Sequence, residues 1–302
     1  YDQVVSCGEM ISSKILSEYL NEIQFFNHWL DARDYIKTDS NYREGIVNWQ
    51  ETEQNIAKLD KINCYVTQGF IGSESNNFTV TLGREGSDYT AAIFAYCLNA
   101  DEMTIWKDVP GVMTGDPRKF ENVELLSHIS YEEAIEMAYY GASVIHPKTL
   151  QPLKQKSIPF YVKSFVEPKK PGTKVGISED NELTESYILK ENQTLLNVET
   201  RDFSFIAEDH MSLIFKLLAK YKIKVSLMQN SAISLALCLE DKFGNVNDLN
   251  EELQQSFITQ MTKNVSLFTV RNVNLDTLDQ FYKDKKVLLE QISKKTFQMV
   301  TI

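Results

Sequence analysis

Phe78-Thr79-Val80-Thr81-Leu82-Gly83-Arg84-Glu85-Gly86-Ser87-Asp88-Tyr89-Thr90-Ala91-Ala92 is the stretch around which this chain folds. Residues 78–82 alternate and are rich in β-branched side chains, the pattern of a strand. Gly83 and Gly86 carry no Cβ, so the backbone there can turn sharply and approach a ligand closely. Ser87 is suited to cap a helix, and the alanine-rich run behind it favours one. A strand that turns into a helix N-terminus aims unpaired amides at one spot, which suits a phosphate or a carboxylate. Arg84 adds a planar donor for a carboxylate. On local physics alone, two glycines at such a turn are more often only a turn.

Upstream, Ser6-Cys7-Gly8-Glu9-Met10-Ile11-Ser12-Ser13 opens a helix with Met10, Ile11, Ile15, Leu16 and Leu20 at helical spacing. Taken alone, Glu9 is a first-turn acid favoured by the helix dipole. Residues 27–60 read as a short strand, an irregular excursion and a helix near 50–58. Residues 63–72 read as a buried strand ending in a glycine turn, where Gly69 and Gly72 fit a plain turn or the border of a cleft equally well.

Downstream, the run from Met103 to Arg118 reads as a strand that delivers Lys107 and Asp108 to the carboxyl edge of a sheet, where open α/β sheets bind ligands. Asp116-Pro117 alone is an ordinary turn. Ser130-Tyr131-Glu132-Glu133 forms a capping box for a helix over 131–140, closed by Gly141. Pro147 suits a first helical position, and His146 reads as a structural cap rather than a base. Residues 158–164 read as a closing strand.

Three strings in this order resemble one family. Ser-x-Gly-Glu-x-x-Ser at 6–12, Leu-Gly-Arg-x-Gly-Ser-Asp-Tyr-Thr-Ala-Ala at 82–92 and Trp-x-Asp-Val-Pro-Gly-x-x-x-x-Asp-Pro-Arg at 106–118 are similar to the aspartate kinases of the amino-acid kinase superfamily. The resemblance implies a three-layer α/β amino-acid kinase domain with a mainly parallel sheet, followed by α+β, ferredoxin-like ACT modules. It implies transfer of a phosphoryl group from ATP, with Mg²⁺, to the β-carboxylate of L-aspartate. Glu9 is then expected to contact the substrate amino group, Arg84 to grip a carboxylate, and Ser87 to line the cleft. Asp88 is expected to orient cations around the phosphoryl group, since phosphoryl transfer is mostly positioning and charge neutralisation. Lys107, Asp108, Met113, Asp116, Arg118 and Ser143 are the implied nucleotide-binding positions.

Four of these positions depart from the family pattern. Glu85 stands where many relatives have glycine, and its carboxylate is expected to point to solvent. Met113 stands where some have tyrosine. Ser143 replaces the lysine of Gly-Ala-Lys-Val-x-His-Pro, and Lys107, often threonine in relatives, is the candidate to restore the lost charge.

Residues 179–192, with an acidic run and flanking Pro and Gly, read as a linker between a kinase domain (1–178) and a regulatory region (193–302). From about 194 the pattern becomes β-α-β-β-α-β: strand 194–199, helix 211–221, strands 224–228 and 231–239, helix 249–256 and strand 266–273. Strands 287–292 and 296–302 read as an abbreviated second unit. The resemblance places an amino-acid effector near Met211, Val225, Ser226, Ser231 and Ala232. Ser226 and Ala232 take positions where lysine-sensitive relatives carry acids, so a cationic effector lacks its partner.

Hydrophobic content of 43% and charged content of 24% are ordinary for a soluble globular chain, and the net charge of −11 opposes a nucleic-acid-binding face. No apolar run spans a bilayer and no signal peptide is visible. Cys7, Cys64, Cys97 and Cys238 are scattered, as in a reducing, cytoplasmic setting, and suggest neither disulfides nor a metal site. A homodimer is the expected assembly, since ACT modules commonly pair across a two-fold axis. Tyr1 opens inside a helix, and the Lys-Phe-Gly-Gly segment of the family lies outside these residues, so the piece alone is expected to be inactive. The rival reading is a non-catalytic amino-acid-binding regulatory protein, prompted by Ser143 and Met113.

Overall fold

The first helix, α1 (Asp2–Glu22), is seated by its polar side. Asp2, Ser6, Ser13 and Ser17 are buried, whereas Val4, Ile11 and Ile15 on the opposite face are 74%, 60% and 64% exposed. The burial follows from hydrogen bonds rather than apolar contact. Gln3 Nε2 donates to the Thr79 carbonyl at 2.7 Å, Gln68 Nε2 donates to Ser13 Oγ at 2.8 Å, and Ser17 Oγ donates to Asn27 Oδ1 at 2.6 Å.

In the computed structural model, residues 1–142, 145–177, 184–274, 276, 278–282 and 285–302 are described. They divide into two compact units, residues 1–112 with 125–181, and residues 113–124 with 182–302.

In the first unit, α1 is followed by β1 (His28–Leu30), α2 (Ala32–Tyr35), α3 (Trp49–Ile56), β2 (Tyr65–Thr67), β3 (Ile71–Ser73) and β4 (Thr79–Thr81). Next come α4 (Gly86–Leu98), β5 (Met103–Lys107), β6 (His128–Ser130), α5 (Tyr131–Tyr140), α6 (Pro147–Gln155), β7 (Phe160–Ser164) and β8 (Thr173–Gly176). β1 pairs with β2 in parallel, and β3 with β4 antiparallel. The remaining strands form a sheet in the order β5-β7-β8-β6, parallel between β5 and β7 and between β6 and β8, antiparallel between β7 and β8. The expected mainly parallel sheet is thus a mixed set of ladders among the described residues. A connection as short as that between β3 and β4 can join only antiparallel strands. Ile36, Ile56, Leu82 and Ile93 form a fully buried core against α3 and α4.

Ser130 caps α5 as its position predicts. Ser130 Oγ accepts from the Glu133 amide at 3.0 Å, and Gly141 closes α5 with φ 118°. His146 caps α6 through Nδ1, which accepts from the Lys148 amide at 3.2 Å, with Pro147 at the first helical position.

The second unit contains β9 (Ser186–Thr200), α7 (Glu208–Lys220), β10 (Lys224–Asn230), β11 (Ser234–Glu240), α8 (Val246–Leu253), β12 (Phe257–Arg271), α9 (Asp279–Tyr282), β13 (Val287–Ser293) and β14 (Thr296–Thr301). One antiparallel sheet runs β10-β11-β9-β12-β14-β13. Its first four strands with α7 and α8 follow the β-α-β-β-α-β order. β9 starts at Ser186, inside the stretch whose composition suggested a linker, because it pairs along its length with β12. Successive residues of β9 point to opposite faces. Leu196 and Val198 pack with Ile214 and Leu217 of α7 and Leu249 of α8, while Leu195 packs with Leu227, Cys238, Val265 and Leu267 on the other side. Residues 113–124 join this unit. The Thr114 carbonyl accepts from the Tyr187 amide at 2.6 Å, and the Phe120 ring lies 5.8 Å from those of Tyr187 and Phe268.

Candidate functional site

β4, the Gly83–Glu85 turn and the first turn of α4 form the candidate site. The Leu82 amide donates to the Phe70 carbonyl at 2.9 Å, which fixes the exit of β4 against the 69–70 segment. The Phe70 amide donates to Thr90 Oγ1 at 2.9 Å, and that hydroxyl donates to the Gly86 carbonyl at 2.9 Å. A Cβ at Gly69 meets Ser87 at 2.7 Å, and one at Gly86 meets Phe70 at 2.7 Å, so both glycines are needed for close approach. Gly69 therefore borders the site rather than serving only as a turn.

The cap of α4 differs from the sequence expectation. Helix α4 begins at Gly86, and the N-cap is Glu85, left-handed at φ 53° and ψ 33°, not Ser87. Gly83 at φ 84° and Glu85 together supply the reversal, which displaces the cap two residues upstream. Ser87 lies exposed at the second helical position. Glu85 also departs from its expected orientation. It is half-buried, and its Oε2 is shielded from solvent without a hydrogen bond. Burial pushes its carboxyl above the usual range, opposed by Lys107, aided by Asp88 and opposed by Arg84.

The Lys107 ammonium at the end of β5 lies 3.0 Å from Asp88 Oδ2 in the first turn of α4, and both side chains are about one-fifth exposed, at 21% and 17%. This pair brings two of the sequence-derived candidates together. Arg84 is exposed beside it on the turn. Glu9 lies on the inward side of α1, in line with Asp2, Ser6 and Ser13 at helical spacing. The first turn of that helix is fastened to β4, because the Asp2 carboxylate accepts from the Thr81 amide at 2.8 Å, the Thr81 hydroxyl at 3.2 Å and the Arg43 amide at 2.8 Å.

Asp108 is exposed, directly after β5. The turn that follows is held by Thr173, whose Oγ1 accepts from the Val112 amide at 2.8 Å and donates to the Leu126 carbonyl at 2.6 Å. Met113, Asp116 and Arg118 belong to the second unit. There Arg118 forks onto Asp116 (Nε to Oδ1 2.9 Å, Nη2 to Oδ2 2.8 Å), and these hydrogen bonds hold the Asp116 carboxyl below its ordinary range. Ser143 lies outside the described residues.

At the positions suggested for an effector, Met211 and Val225 pack against the core beneath α7 and α8. Ser231 and Ala232 are exposed in the turn between β10 and β11. Ser226 is buried, and its hydroxyl donates to Gln193 Oε1 at 3.2 Å while Lys190 Nζ donates to it at 3.4 Å. Lys190 was missed in the sequence, where it is one cation in a polar run. Burial lowers its pKa, Lys224 lowers it further, and Glu240 at 3.9 Å opposes the shift.

The model of the amino acid kinase family matches residues 1–164. Lysine-sensitive aspartokinase 3 of Escherichia coli strain K12 is 36% identical over 277 residues, covering 86% of this chain and 59% of that protein. Aspartokinase 3, chloroplastic, of Arabidopsis thaliana is 33% identical, covering 84% of this chain and 47% of that one. The structure of E. coli aspartokinase III with aspartate and ADP in the R-state superposes with a TM-score of 0.85 at 29% identity, covering 99% of this chain and 72% of that one. Clostridium acetobutylicum aspartate kinase gives a TM-score of 0.80 at 25% identity, covering 98% and 71%. The chain therefore spans a little over half the length of the E. coli relative, and by the family model it belongs to the amino acid kinase family.

Proposed function

We propose that this chain carries the phosphoryl-transfer region of an aspartate kinase, which converts L-aspartate and ATP to 4-phospho-L-aspartate and ADP. The observation that carries the reading is the Asp88–Lys107 pair at a strand-to-helix turn that also presents Arg84 and Ser87. The similarity to aspartokinases over most of the chain supports it.

An oxygen of the substrate β-carboxylate attacks the γ-phosphorus of ATP. The new O–P bond forms as the bond to the β–γ bridging oxygen breaks, and ADP leaves with that electron pair. The attacking carboxylate is already ionised, so no general base is needed. Arg84 and Glu9 hold the carboxylate and ammonium of aspartate, and Ser87 lines the same cleft. Asp88 fixes Lys107, whose ammonium faces the transferring phosphoryl group and supplies the charge that Ser143 does not. Asp108 contacts the nucleoside. Among the described residues, no group of three or more His, Cys, Asp or Glu side chains is placed to hold a metal ion. Mg²⁺ enters the proposed reaction as part of Mg-ATP, carried on the phosphates.

The second unit, in the same proposal, is an ACT-type regulatory region that senses an amino acid and supports a homodimer. Lys190, with Glu240 at 3.9 Å, lies beside Ser226, where a lysine side chain needs an anion, so weakened sensitivity to lysine is expected. The test is aspartate-dependent ADP release by the full-length gene product with Mg-ATP, repeated with lysine and with threonine. Turnover only weakly sensitive to lysine is expected. No turnover from the folded protein overturns the kinase reading, and strong lysine inhibition overturns the assignment of the regulatory site. A light-scattering mass equal to one chain overturns the dimer.

A further inference from the structure

Glu85 has no place in the mechanism above, yet it stands on the turn between Arg84 and the first residue of α4. It is the N-cap of a 13-residue helix; of the first-turn amides that of Gly86 donates to the Gly83 carbonyl at 3.1 Å, which leaves those of Ser87 and Asp88 without an intrahelical partner by position. Its backbone is left-handed, a conformation that a side-chain-bearing residue adopts at a cost. One carboxylate oxygen is shut away from solvent without accepting a hydrogen bond. The charged groups around it are Arg84 on the same turn, Asp88 on α4 and Lys107 on β5, and Lys107 is already engaged by Asp88 at 3.0 Å. The loop that packs on Gly83 adds Arg43 and Glu44, and the 69–70 segment on the other side adds no titratable side chain.

An anion entering at the start of α4 meets a second anion in Glu85. Repulsion in a partly desolvated site is costly, and a carboxyl can relieve it by taking a proton. We infer that Glu85 binds one proton from solvent when the polyphosphate of the nucleotide arrives, and as the neutral acid donates a hydrogen bond to a phosphate oxygen. Glu85 is then a nucleotide-binding residue that makes nucleotide affinity rise as pH falls. The inference rests on the proposed function, since it needs a nucleotide at this turn. Burial, which raises the Glu85 carboxyl, is consistent with it.

The experiment is calorimetric titration of the full-length gene product with Mg-ADP, in two buffers of different ionisation enthalpy, at several pH values between 6 and 8. The same titrations are run on Glu85→Gln, which keeps the shape and a donor but cannot titrate, and on Glu85→Gly, which suits the left-handed backbone. Wild type is expected to take up protons on binding and to lose affinity by about tenfold across the range, since each linked proton changes affinity by up to tenfold per pH unit. Both variants are expected to lose the Glu85 share of the uptake, leaving only that of Mg-ADP itself. Proton uptake equal in wild type and both variants overturns the role of Glu85 while leaving nucleotide binding intact. Absence of Mg-ADP binding by the folded wild type overturns the nucleotide reading and this inference with it.

Discussion

The Lys107 ammonium lies 3.0 Å from the Asp88 carboxylate, which links the end of β5 to the first turn of α4. Lys107→Met removes the cation that pairs with Asp88. Turnover in the aspartate-dependent assay is expected to fall roughly 10²-fold, the scale for removing one group that stabilises developing charge. Lys107→Arg is expected to recover part of it. Unchanged turnover and Mg-ATP affinity in Lys107→Met would show that the charge at this position is idle.

Glu85 occupies a left-handed backbone position and buries an oxygen with no partner. Replacement by glycine removes both penalties, so Glu85→Gly is expected to raise stability to urea by about 1 kcal/mol. A midpoint that moves down places Glu85 among the stabilising residues instead.

Asp2 accepts three hydrogen bonds from Thr81 and Arg43 while only 3% exposed. Asp2→Ala leaves the Thr81 amide buried without its partner, and a loss of roughly 3 kcal/mol is expected from hydrogen bonds to a charged group. Because these bonds seat α1, the KM for aspartate is expected to rise as well. Equilibrium unfolding and steady-state kinetics on one preparation check both.

Gly69 has no room for a methyl group, since an added Cβ falls 2.7 Å from Ser87 Cβ and 2.8 Å from its Cα. Gly69→Ala must push the start of α4 away, at a cost of about 1–3 kcal/mol. Glycine at 69 paired with Ser87→Gly gives the control for losing the Ser87 side chain alone. A Gly69→Ala protein with wild-type stability and kinetics shows that the contact yields freely.

The cysteines separate by burial. Cys7 and Cys64 are exposed, whereas burial pushes the thiols of Cys97 and Cys238 up to about 12. At pH 8 a thiol of that pKa is roughly one part in ten thousand thiolate, so iodoacetamide is expected to label two sites in the folded protein and four after unfolding. Cys97 and Cys238 become reactive only as pH approaches 12. Labelling of Cys238 at pH 8 in the folded protein would indicate local opening of the sheet.

Much of this architecture can be read from residues with local chemistry. Ser130, Glu133 and Gly141 mark both ends of α5 because a cap hydroxyl and a left-handed glycine act within one turn of chain. The β4-to-α4 reversal is legible for the same reason, through Gly83. The cap itself is not, because Ser87 has the better intrinsic preference while the left-handed backbone of Glu85 starts the helix two residues earlier. The seating of α1 is misread by apolar spacing, since the partners of Ser13 and Ser17 are Gln68 and Asn27, far off or beyond the helix in sequence. Lys107 and Asp88 stand nineteen positions apart by number, and Lys190 meets Ser226 only because β9 and β10 flank β11 in one sheet. Such pairings depend on strand order, which no local pattern carries.

The polar underside of α1 has a consequence for where it carries Glu9. An apolar stripe tolerates rolling or sliding of a helix, because burial is nearly indifferent to direction. Hydrogen bonds weaken steeply off axis, so the bonds made by Asp2, Gln3, Ser13 and Ser17 admit a single rotation and a single axial offset. The helix behaves as a keyed shaft. The backbone position of residue 9 is thus set by folding alone.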